Sequence, residues 1–476
     1  MMKNIILFCA GFWGDIAYYK LRKDRNIIFF VDNDVKKVGK RQHDIEIINV
    51  EKLKQIYDDQ FMDVIICSQY FDEIAKQLYG IGIEKYYVIL DGFLIPNARI
   101  ESTDNDTVDN EPYFMDSHDK TSILFVQNTA CIRTHKIANA LKKCGWKICL
   151  AYSVASPEQS NGEYEKIYDG IYAIHTINQF IEFVERSNFD YIHCSNEPDL
   201  LTLISTQTKK VIIHDCHDLS SSYRSMSPEE MFIEFAANKN SNGVIYTTEG
   251  IRKEALKKFN LPVEKTFVLE NLISTELVPS KRYEKISSSD YELHCVYEGG
   301  VVPYDRESHR YFEEIWTRLA IEGVHVHFYT NCERGYCSYL ESLHERIHYE
   351  GNFSSKRLAE EMTKYDVGLC VLNVTEKNRQ YLEYASPNKI QEYVNAGIPV
   401  AVGSITSQKE FVESNGFGRE IDLGGNIFQQ LVEISKIKIE DNILHKRGLT
   451  LESKIPHLIN FYNTCKNRSF IDKGKL

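Results

Sequence analysis

The segment "SPNKIQEYVNAGIPV", residues 386–400, combines a helix start with a cation on the first turn. Ser386 can cap the helix through its hydroxyl, and Pro387 suits the first helical position, where its missing N–H costs nothing. Gly-Ile-Pro at 397–399 ends the helix. A positive side chain such as Lys389 is unfavourable at this end of the helix dipole unless an anion is bound. The segment therefore predicts a phosphate-binding helix start.

Glu392 follows Lys389 by three residues, and its carboxylate could accept hydrogen bonds from the two hydroxyls of a ribose. The backbone of Ser386, Pro387 and Asn388 would complete a site for a nucleotide diphosphate. The alternative is a solvent-exposed Lys389–Glu392 pair, which stabilises a helix by only about 0.2–0.5 kcal/mol. We favour the nucleotide site.

A second candidate anion site lies in "YEGGVVPYDRESHR", residues 297–310. Gly299 and Gly300 directly follow an apolar strand, where glycine lets backbone N–H groups approach phosphate oxygens closely. Arg306 or Arg310 could then neutralise charge on a departing diphosphate. The alternative is an ordinary strand-to-loop turn with a surface arginine.

The run "HDCHD" at 214–218 contains two histidines and two aspartates, a composition that suggests a metal site. Alternation along a strand sends His214 and Asp215 to opposite faces, so a shared ion is not expected and we predict no metal. Cys216 cannot act as a nucleophile with His217, because adjacent residues in a strand cannot form that hydrogen bond. A structural histidine is the simpler alternative for His217.

Other polar residues stand at the ends of predicted elements. Asn196 follows a strand in the first half, where clefts of open α/β sheets lie, although it could equally cap a helix. Arg133 and His135 open a helix and could contact an anionic or lipid-linked acceptor. We therefore assign these three residues to a possible acceptor side.

Near the N-terminus, Gly11 and Gly14 allow a tight strand-to-helix turn, and Asp32 ends the next strand. A bound nucleotide would place its phosphate at the turn and its ribose near Asp32. The third glycine of G-x-G-x-x-G is missing, which weakens the case for NAD.

The elements that position these residues alternate between strand and helix, which predicts an α/β chain. We expect a small Rossmann-like domain over 1–96, an acidic linker over 97–120, and two α/β halves facing a cleft, over 121–280 and 281–435. A helical tail over 436–476 would brace the first half.

The chain has 476 residues, with 56 Lys and Arg against 68 Asp and Glu, a net charge of −12 that argues against a nucleic-acid binder. The twelve cysteines form no C-x-x-C pair, and several lie in apolar runs, as free thiols do in a cytoplasmic protein. No stretch approaches the roughly 20 apolar residues of a membrane span, although peripheral membrane contact is possible.

From about residue 121 to 470 the sequence resembles GT-B glycosyltransferases, especially the retaining glycosyltransferase 4-like (group 1) family. The segment from Ser386 matches that family's S-P-x-K-x-x-E-Y-x-x-x-G-x-P-V signature. "VIYTTEGIRKEALKKFNLPVEKTFVLENL", "CVYEGGVVPYDRESHRYF" and "HDCHD" resemble its crossover segment, glycine turn and histidine loop. Residues 1–96 resemble the small Rossmann-like domain at the front of sugar acetyltransferases and related sugar-nucleotide proteins, through "CAGFWG" and "FFVDND".

The resemblance implies roles for individual residues. His217 would contact hydroxyls of the donor sugar, while Lys389 and Arg306, the favoured basic residue after the turn, would stabilise the diphosphate. The family's glutamate eight residues before Glu392 is replaced by Tyr384, so Glu383 is the candidate contact to the donor sugar.

The implied activity is transfer of a hexose from a nucleotide-sugar donor, UDP- or GDP-linked, with retention and with no further cofactor. The acceptor would be a glycan, a lipid-linked saccharide or a protein, in surface polysaccharide or glycoconjugate biosynthesis. Two alternatives stay open. One is a sugar-nucleotide oxidoreductase or modifying enzyme that uses the N-terminal domain. The other is a non-catalytic sugar-nucleotide-binding scaffold.

Overall fold

The computed structural model describes residues 3–23, 25–90, 92–97, 120–156, 162–196, 198–222, 224–384 and 388–473. The predicted linker lies almost wholly outside these ranges, as do Ser386 and Pro387. The chain forms two compact units. The first consists of Met1–His217, Phe232–Val244 and Tyr462–Leu476, and the second of Asp218–Met231 and Ile245–Phe461.

The N-terminal part of the first unit is built on a seven-stranded sheet in the order β3-β4-β2-β1-β5-β6-β7. Its strands are β1 (Asn4–Phe8), β2 (Ile27–Val31), β3 (Arg41–Gln42), β4 (Ile45–Ile48), β5 (Met62–Ile66), β6 (Tyr87–Leu90) and β7 (Phe93–Pro96). Its helices are α1 (Phe12–Leu21), α2 (Val50–Ile56) and α3 (Phe71–Gly80). The central pairs β1–β2 and β1–β5 are parallel, and β3–β4 and β6–β7 are antiparallel.

A second seven-stranded sheet has the order β10-β9-β8-β11-β12-β13-β14. Its strands are β8 (Ser122–Thr129), β9 (Lys147–Ala155), β10 (Gly170–Ala173), β11 (Tyr191–Ser195), β12 (Ile212–Cys216), β13 (Gly243–Tyr246) and β14 (Thr266–Val268). The helices that follow in this part of the chain are α4 (Ile132–Lys143), α5 (Ile177–Arg186), α6 (Asp199–Ser205), α7 (Pro228–Asn240) and α8 (Glu249–Phe259). The boundary between the two units falls within β13.

The third sheet lies in the second unit and has six strands in the order β17-β16-β15-β18-β19-β20, all paired in parallel. They are β15 (Leu293–Glu298), β16 (Val324–Tyr329), β17 (Ile347–Gly351), β18 (Val367–Cys370), β19 (Val400–Val402) and β20 (Gly418–Glu420). The helices are α9 (Ser287–Asp290), α10 (Glu313–Ile321), α11 (Arg334–Ser342), α12 (Ser355–Met362), α13 (Arg379–Tyr384), α14 (Asn388–Ala396), α15 (Thr406–Ser414), α16 (Ile427–Ser435), α17 (Ile443–Lys446) and the C-terminal α18 (Leu451–Lys473). Short 3-10 turns occupy Gly162–Ile167, Ser220–Ser222, Val263–Lys265 and Thr275–Leu277.

Two contacts tie separate segments into the first unit. Lys20 of α1 is buried and donates hydrogen bonds to the carbonyls of Gly92 and Ser153, so the N-terminal sheet is joined to β9. Burial holds the pKa of Lys20 well below its ordinary value. In the C-terminal segment of this unit, the hydroxyl of Tyr462 lies 2.7 Å from Nδ1 of His193 on β11.

The prediction of an α/β chain is confirmed, because all three sheets are parallel at their centres and are connected by helices. Within the described part of the chain, no helix combines the length and the hydrophobicity that crossing a bilayer requires.

Candidate functional site

Two groups of the predicted site residues lie at the carboxyl ends of parallel strands, where open α/β sheets bind their ligands. One group follows β12 in the first unit, and another follows β15 in the second. The first group belongs to the first unit and the second group to the second unit.

In the first unit, Asp215 at the end of β12 is a fully buried carboxylate held by a bidentate arginine. Nε and Nη2 of Arg133, from α4, each donate to an oxygen of Asp215 over 3.0 Å. The Nε2 atoms of His193 and His217 both lie 3.3 Å from Oδ2 of the same carboxylate. Burial alone would raise the pKa of Asp215, but the charges of Arg133 and His217 hold it well below its ordinary value. Asp215 is therefore a carboxylate anion that holds the side chains of Arg133 and His217 in place.

His217 also faces a thiol that the sequence analysis did not single out. Sγ of Cys131, the residue that precedes α4, lies 3.9 Å from Nδ1 of His217 and 3.6 Å from Oγ1 of Thr134. Burial favours the neutral thiol, but the charge of His217 and hydrogen bonds from His217 and Thr134 lower the pKa of Cys131 to about 6. Burial disfavours the charged imidazole, but Asp215 and Cys131 raise the pKa of His217 to about 9. The pair is thus a thiolate beside an imidazolium at neutral pH.

The three residues assigned to an acceptor side have internal partners. Arg133 is turned to Asp215. His135 is buried, with Nδ1 2.7 Å from the hydroxyl of Tyr168, and burial lowers the pKa of His135 to about 4. Oδ1 of Asn196 accepts the backbone N–H of His217 over 2.7 Å. Arg133 and Asn196 thus hold the surroundings of His217 in place, and His135 contacts Tyr168.

In the second unit, the glycine turn after β15 is bordered by two cations. Gly299 has φ +125°, and a Cβ atom built there would lie 3.6 Å from Nζ of Lys389. A Cβ on Gly300 would lie 2.7 Å from Nη1 of Arg310, too close for a side chain to fit without a shift. The ammonium of Lys389 lies 5.1 Å from the centre of the Tyr297 ring. The Gly299–Gly300 loop, the start of helix α14 and the side chain of Arg310 therefore lie next to one another.

The cations at this turn form no ion pair with a carboxylate in the part of the chain that the structure describes. Among the residues that the structure describes, neither Lys389 nor Arg310 has a carboxylate oxygen within 4.0 Å. Burial disfavours the charge on Lys389, but Tyr297, Cys370 and Glu298 raise its pKa above the ordinary value. His309 is kept neutral, because burial and the charges of Arg310 and Lys389 lower its pKa to about 4. The N–H of Gly299 donates to the carbonyl of Tyr329, so the candidate anion site consists of the two cations and the backbone beyond Gly299.

The remaining predicted residues of the second unit lie elsewhere. The side chain of Arg306 is 78% exposed and pairs with Glu314 over 3.5 Å, so Arg310 and not the favoured Arg306 reaches the turn. Glu383 accepts the backbone N–H groups of Thr406 and Ser407 and thereby caps α15. Asn388 begins α14 and is exposed, and Glu392 on the same helix is half-buried.

The N-terminal turn is filled by the protein itself. The Asp32 carboxylate accepts the N–H groups of Ala10 and Asp34 and the ammonium of Lys37, each over 2.9 Å. Burial would raise the pKa of Asp32, but these hydrogen bonds lower it. A Cβ on Gly14 would meet the carbonyl oxygen of Cys9 at 2.0 Å, so glycine is needed there for close packing of α1 on β1. Gly11 immediately precedes α1.

Two family models match parts of the sequence. Residues 320–454 match the C-terminal domain described as glucosyltransferase 3-like, and residues 1–89 match the N-terminal domain described as C2185-like. No curated protein matches the chain.

Solved structures resemble the chain over about three quarters of its length. A glycosyltransferase from Rickettsia africae is 12% identical and aligns with a TM-score of 0.54, over 73% of this chain and 99% of its own. HepE from Anabaena, solved with UDP-glucose, is 14% identical and aligns with a TM-score of 0.50, over 75% of this chain and all of its own. These two structures have the GT-B fold, so the predicted fold class is confirmed.

Proposed function

We propose that this protein is a glycosyltransferase that moves a sugar from a nucleotide-sugar donor to an acceptor hydroxyl. The observation that carries the proposal is the cation pair Lys389 and Arg310 at the Gly299–Gly300 turn. The charge of Arg310 disfavours the ammonium of Lys389, and an anion bound between the two cations would relieve that repulsion. The diphosphate of the donor supplies that anion.

During transfer, the bond between the anomeric carbon and the diphosphate oxygen breaks, and a bond to the acceptor oxygen forms. The acceptor proton passes to the departing phosphate. Negative charge on the diphosphate grows in the transition state, where Lys389, Arg310 and the N–H groups at Gly300 and the start of α14 stabilise it. Glu392 accepts the ribose hydroxyls, and retention of the anomeric configuration follows from the family resemblance.

His217 is proposed to donate hydrogen bonds to the donor sugar. Nε2 of His217 faces Asp215, so the hydrogen bond to the sugar would come from Nδ1, in place of its 3.9 Å contact with Sγ of Cys131. The base of the donor is proposed to be uracil, since HepE, which shares the fold, was solved with UDP and with UDP-glucose. The acceptor is proposed to be a growing surface polysaccharide or another glycoconjugate.

A non-catalytic nucleotide-sugar-binding scaffold is the second candidate. It is favoured by one observation, the use of the Glu383 carboxylate to cap α15. The oxidoreductase alternative loses support, because the Asp32 carboxylate already accepts hydrogen bonds from Ala10, Asp34 and Lys37.

The test is a thermal-shift screen with UDP-, GDP-, ADP-, dTDP- and CMP-sugars, followed by an assay for nucleoside diphosphate release with candidate acceptors. At 100 times its dissociation constant a ligand stabilises the folded state by about 2.7 kcal/mol, so the donor should raise the melting temperature clearly. A donor that binds and is turned over supports transfer, and a donor that binds without turnover favours the scaffold. If no nucleotide sugar changes the melting temperature, the proposal is wrong.

A further inference from the structure

Three histidines of the third sheet gather at a place that the proposed nucleotide site does not use. His294 lies on β15, and His325 and His327 lie on the neighbouring β16. The strands pair in register, His294 opposite His325, and alternate residues of a strand share one face, so the three rings project to the same side. His294 and His325 are the second residues of their strands and His327 is the fourth residue of β16, whereas the glycine turn follows the carboxyl end of β15.

The ring nitrogens are close enough to share one ion. Each ring offers one nitrogen as a ligand, and these three nitrogens all lie within 4.8 Å of one another. The closest pair is Nδ1 of His294 and Nε2 of His327, at 2.9 Å. His348 on β17 adds a fourth ring, with Nε2 2.9 Å from Nδ1 of His325.

Each of the three rings also has a carboxylate at its other nitrogen. Nε2 of His294 lies 3.0 Å from Asp290, Nε2 of His325 lies 2.6 Å from Glu292, and Nδ1 of His327 lies 2.7 Å from Glu350. A carboxylate only accepts hydrogen bonds, so each contact places an N–H on the outer nitrogen. The inner nitrogen of each neutral ring then carries a lone pair. This carboxylate–histidine pattern is the one that orients histidines around metal ions.

The placement of these lone pairs matters most for His294 and His327. Their inner nitrogens would face each other as two lone pairs at 2.9 Å, which repel unless a cation lies between them. We propose that His294, His325 and His327 bind a divalent transition-metal ion of the zinc class in this protein. Asp290, Glu292 and Glu350 orient the three ligands, and His348 contacts His325 from β17.

Ligand chemistry selects the ion. Imidazole nitrogen suits Zn²⁺, Cu²⁺, Ni²⁺ and Co²⁺, whereas Mg²⁺ and Ca²⁺ prefer oxygen ligands. Zn–N distances of about 2.0–2.1 Å place tetrahedral ligands roughly 3.4 Å apart, so His325 closes on the other two by a small side-chain rotation. The site lies near the surface on one side, because the Glu292 side chain that contacts His325 is 43% exposed. The site would join three strands of the sheet and stabilise the second unit.

The experiment uses the full-length protein after dialysis against EDTA. Zn²⁺ binding is measured by isothermal titration calorimetry, and Co²⁺ is added separately because a tetrahedral Co²⁺–imidazole site has a visible absorption band. We expect one ion per chain, a raised melting temperature with Zn²⁺, and no response to Mg²⁺. If the parent protein binds neither Zn²⁺ nor Co²⁺ at these residues, the cation between His294 and His327 is a proton and the proposal is overturned.

Variants locate the site. His325→Gln should weaken Zn²⁺ binding by more than the roughly 10–100-fold expected for loss of an outer carboxylate, and Glu292→Gln should weaken it by about that amount. Glu292→Gln changes a partly exposed side chain, so it serves as the test if His325→Gln does not fold. His445→Gln, which changes an exposed histidine of α17, should leave Zn²⁺ binding unchanged. Equal Zn²⁺ affinity in the parent and Glu292→Gln or His325→Gln proteins would overturn the assignment.

Discussion

Sγ of Cys131 lies 3.9 Å from Nδ1 of His217, and the two residues are brought together from positions 86 apart in the sequence. The contact makes an ion pair at the end of β12, with Asp215 on the far side of the imidazole. Its properties can be measured without knowing the substrate.

Cys131 should be alkylated by iodoacetamide at neutral pH faster than the other thiols of the chain. Its pKa of about 6 leaves roughly 90% thiolate at pH 7, against a few per cent for a free cysteine. The rate, followed by mass spectrometry of the Cys131 peptide, should be half-maximal near pH 6. His217→Ala should slow alkylation at pH 7 about tenfold or more, and a rate that rises only above pH 8 in the parent would contradict the ion pair.

Stability should depend on His217 in the alkaline range. The pKa of His217 rises from about 6.5 in the unfolded chain to about 9 in the folded one. The imidazolium therefore contributes stability that is complete below pH 6.5 and is lost as the pH rises through 9. The parent should be more stable than His217→Gln at pH 7, and the difference in urea midpoint should shrink by pH 10. A difference that stays constant or grows would contradict this assignment.

Arg133 is expected to be a stability residue. Removing it takes away both bidentate hydrogen bonds and leaves the buried Asp215 with His217 as its charged partner, and breaking a buried pair costs about 3–5 kcal/mol. Arg133→Ala should therefore lower the free energy of unfolding strongly. The matched control is Arg186→Ala, whose exposed partner Glu182 lies 3.7 Å away and should be worth less than about 1 kcal/mol. Similar costs for the two variants would show that Asp215 does not depend on Arg133.

Substitution of Glu383 distinguishes a helix-capping role of this residue from a catalytic role. Loss of a helix cap costs about 0.5–2 kcal/mol, so Glu383→Ala should lower the melting temperature while nucleotide affinity stays within about twofold of the parent. A loss of turnover of about 100-fold or more, with stability unchanged, would instead identify Glu383 as a contact to the donor sugar.

Much of the architecture could be predicted from local patterns. Apolar runs such as residues 4–8 form the central strands because each is bounded by turn residues and followed by a helical stretch. The helix at 388–396 ends where Gly397 adopts φ +80°, as the Gly-Ile-Pro sequence predicts. Such signals are contained within a few neighbouring residues.

The contacts that could not be predicted from the sequence depend on the course of a loop or on the register between strands. Arg306 and Arg310 are equivalent in sequence terms, and only the course of the loop after Gly300 decides which of them returns to the turn. Cys131 was missed for the same reason, although its place before a helix was a usable signal. The alternation in "VHVHFY" could have indicated two histidines on one face, but their partner His294 is set by pairing with β15.

The central claim is that Lys389 binds the diphosphate of the donor. The most direct measurement is the dissociation constant of UDP, or of the nucleotide selected by the screen, for the parent and for Lys389→Ala, Arg310→Ala and Arg306→Ala. A lost charge-assisted hydrogen bond of about 1.5–3 kcal/mol predicts roughly 10- to 150-fold weaker binding for Lys389→Ala, a clear loss for Arg310→Ala, and a change within about twofold for Arg306→Ala. Unchanged affinity in a folded Lys389→Ala protein would contradict the account.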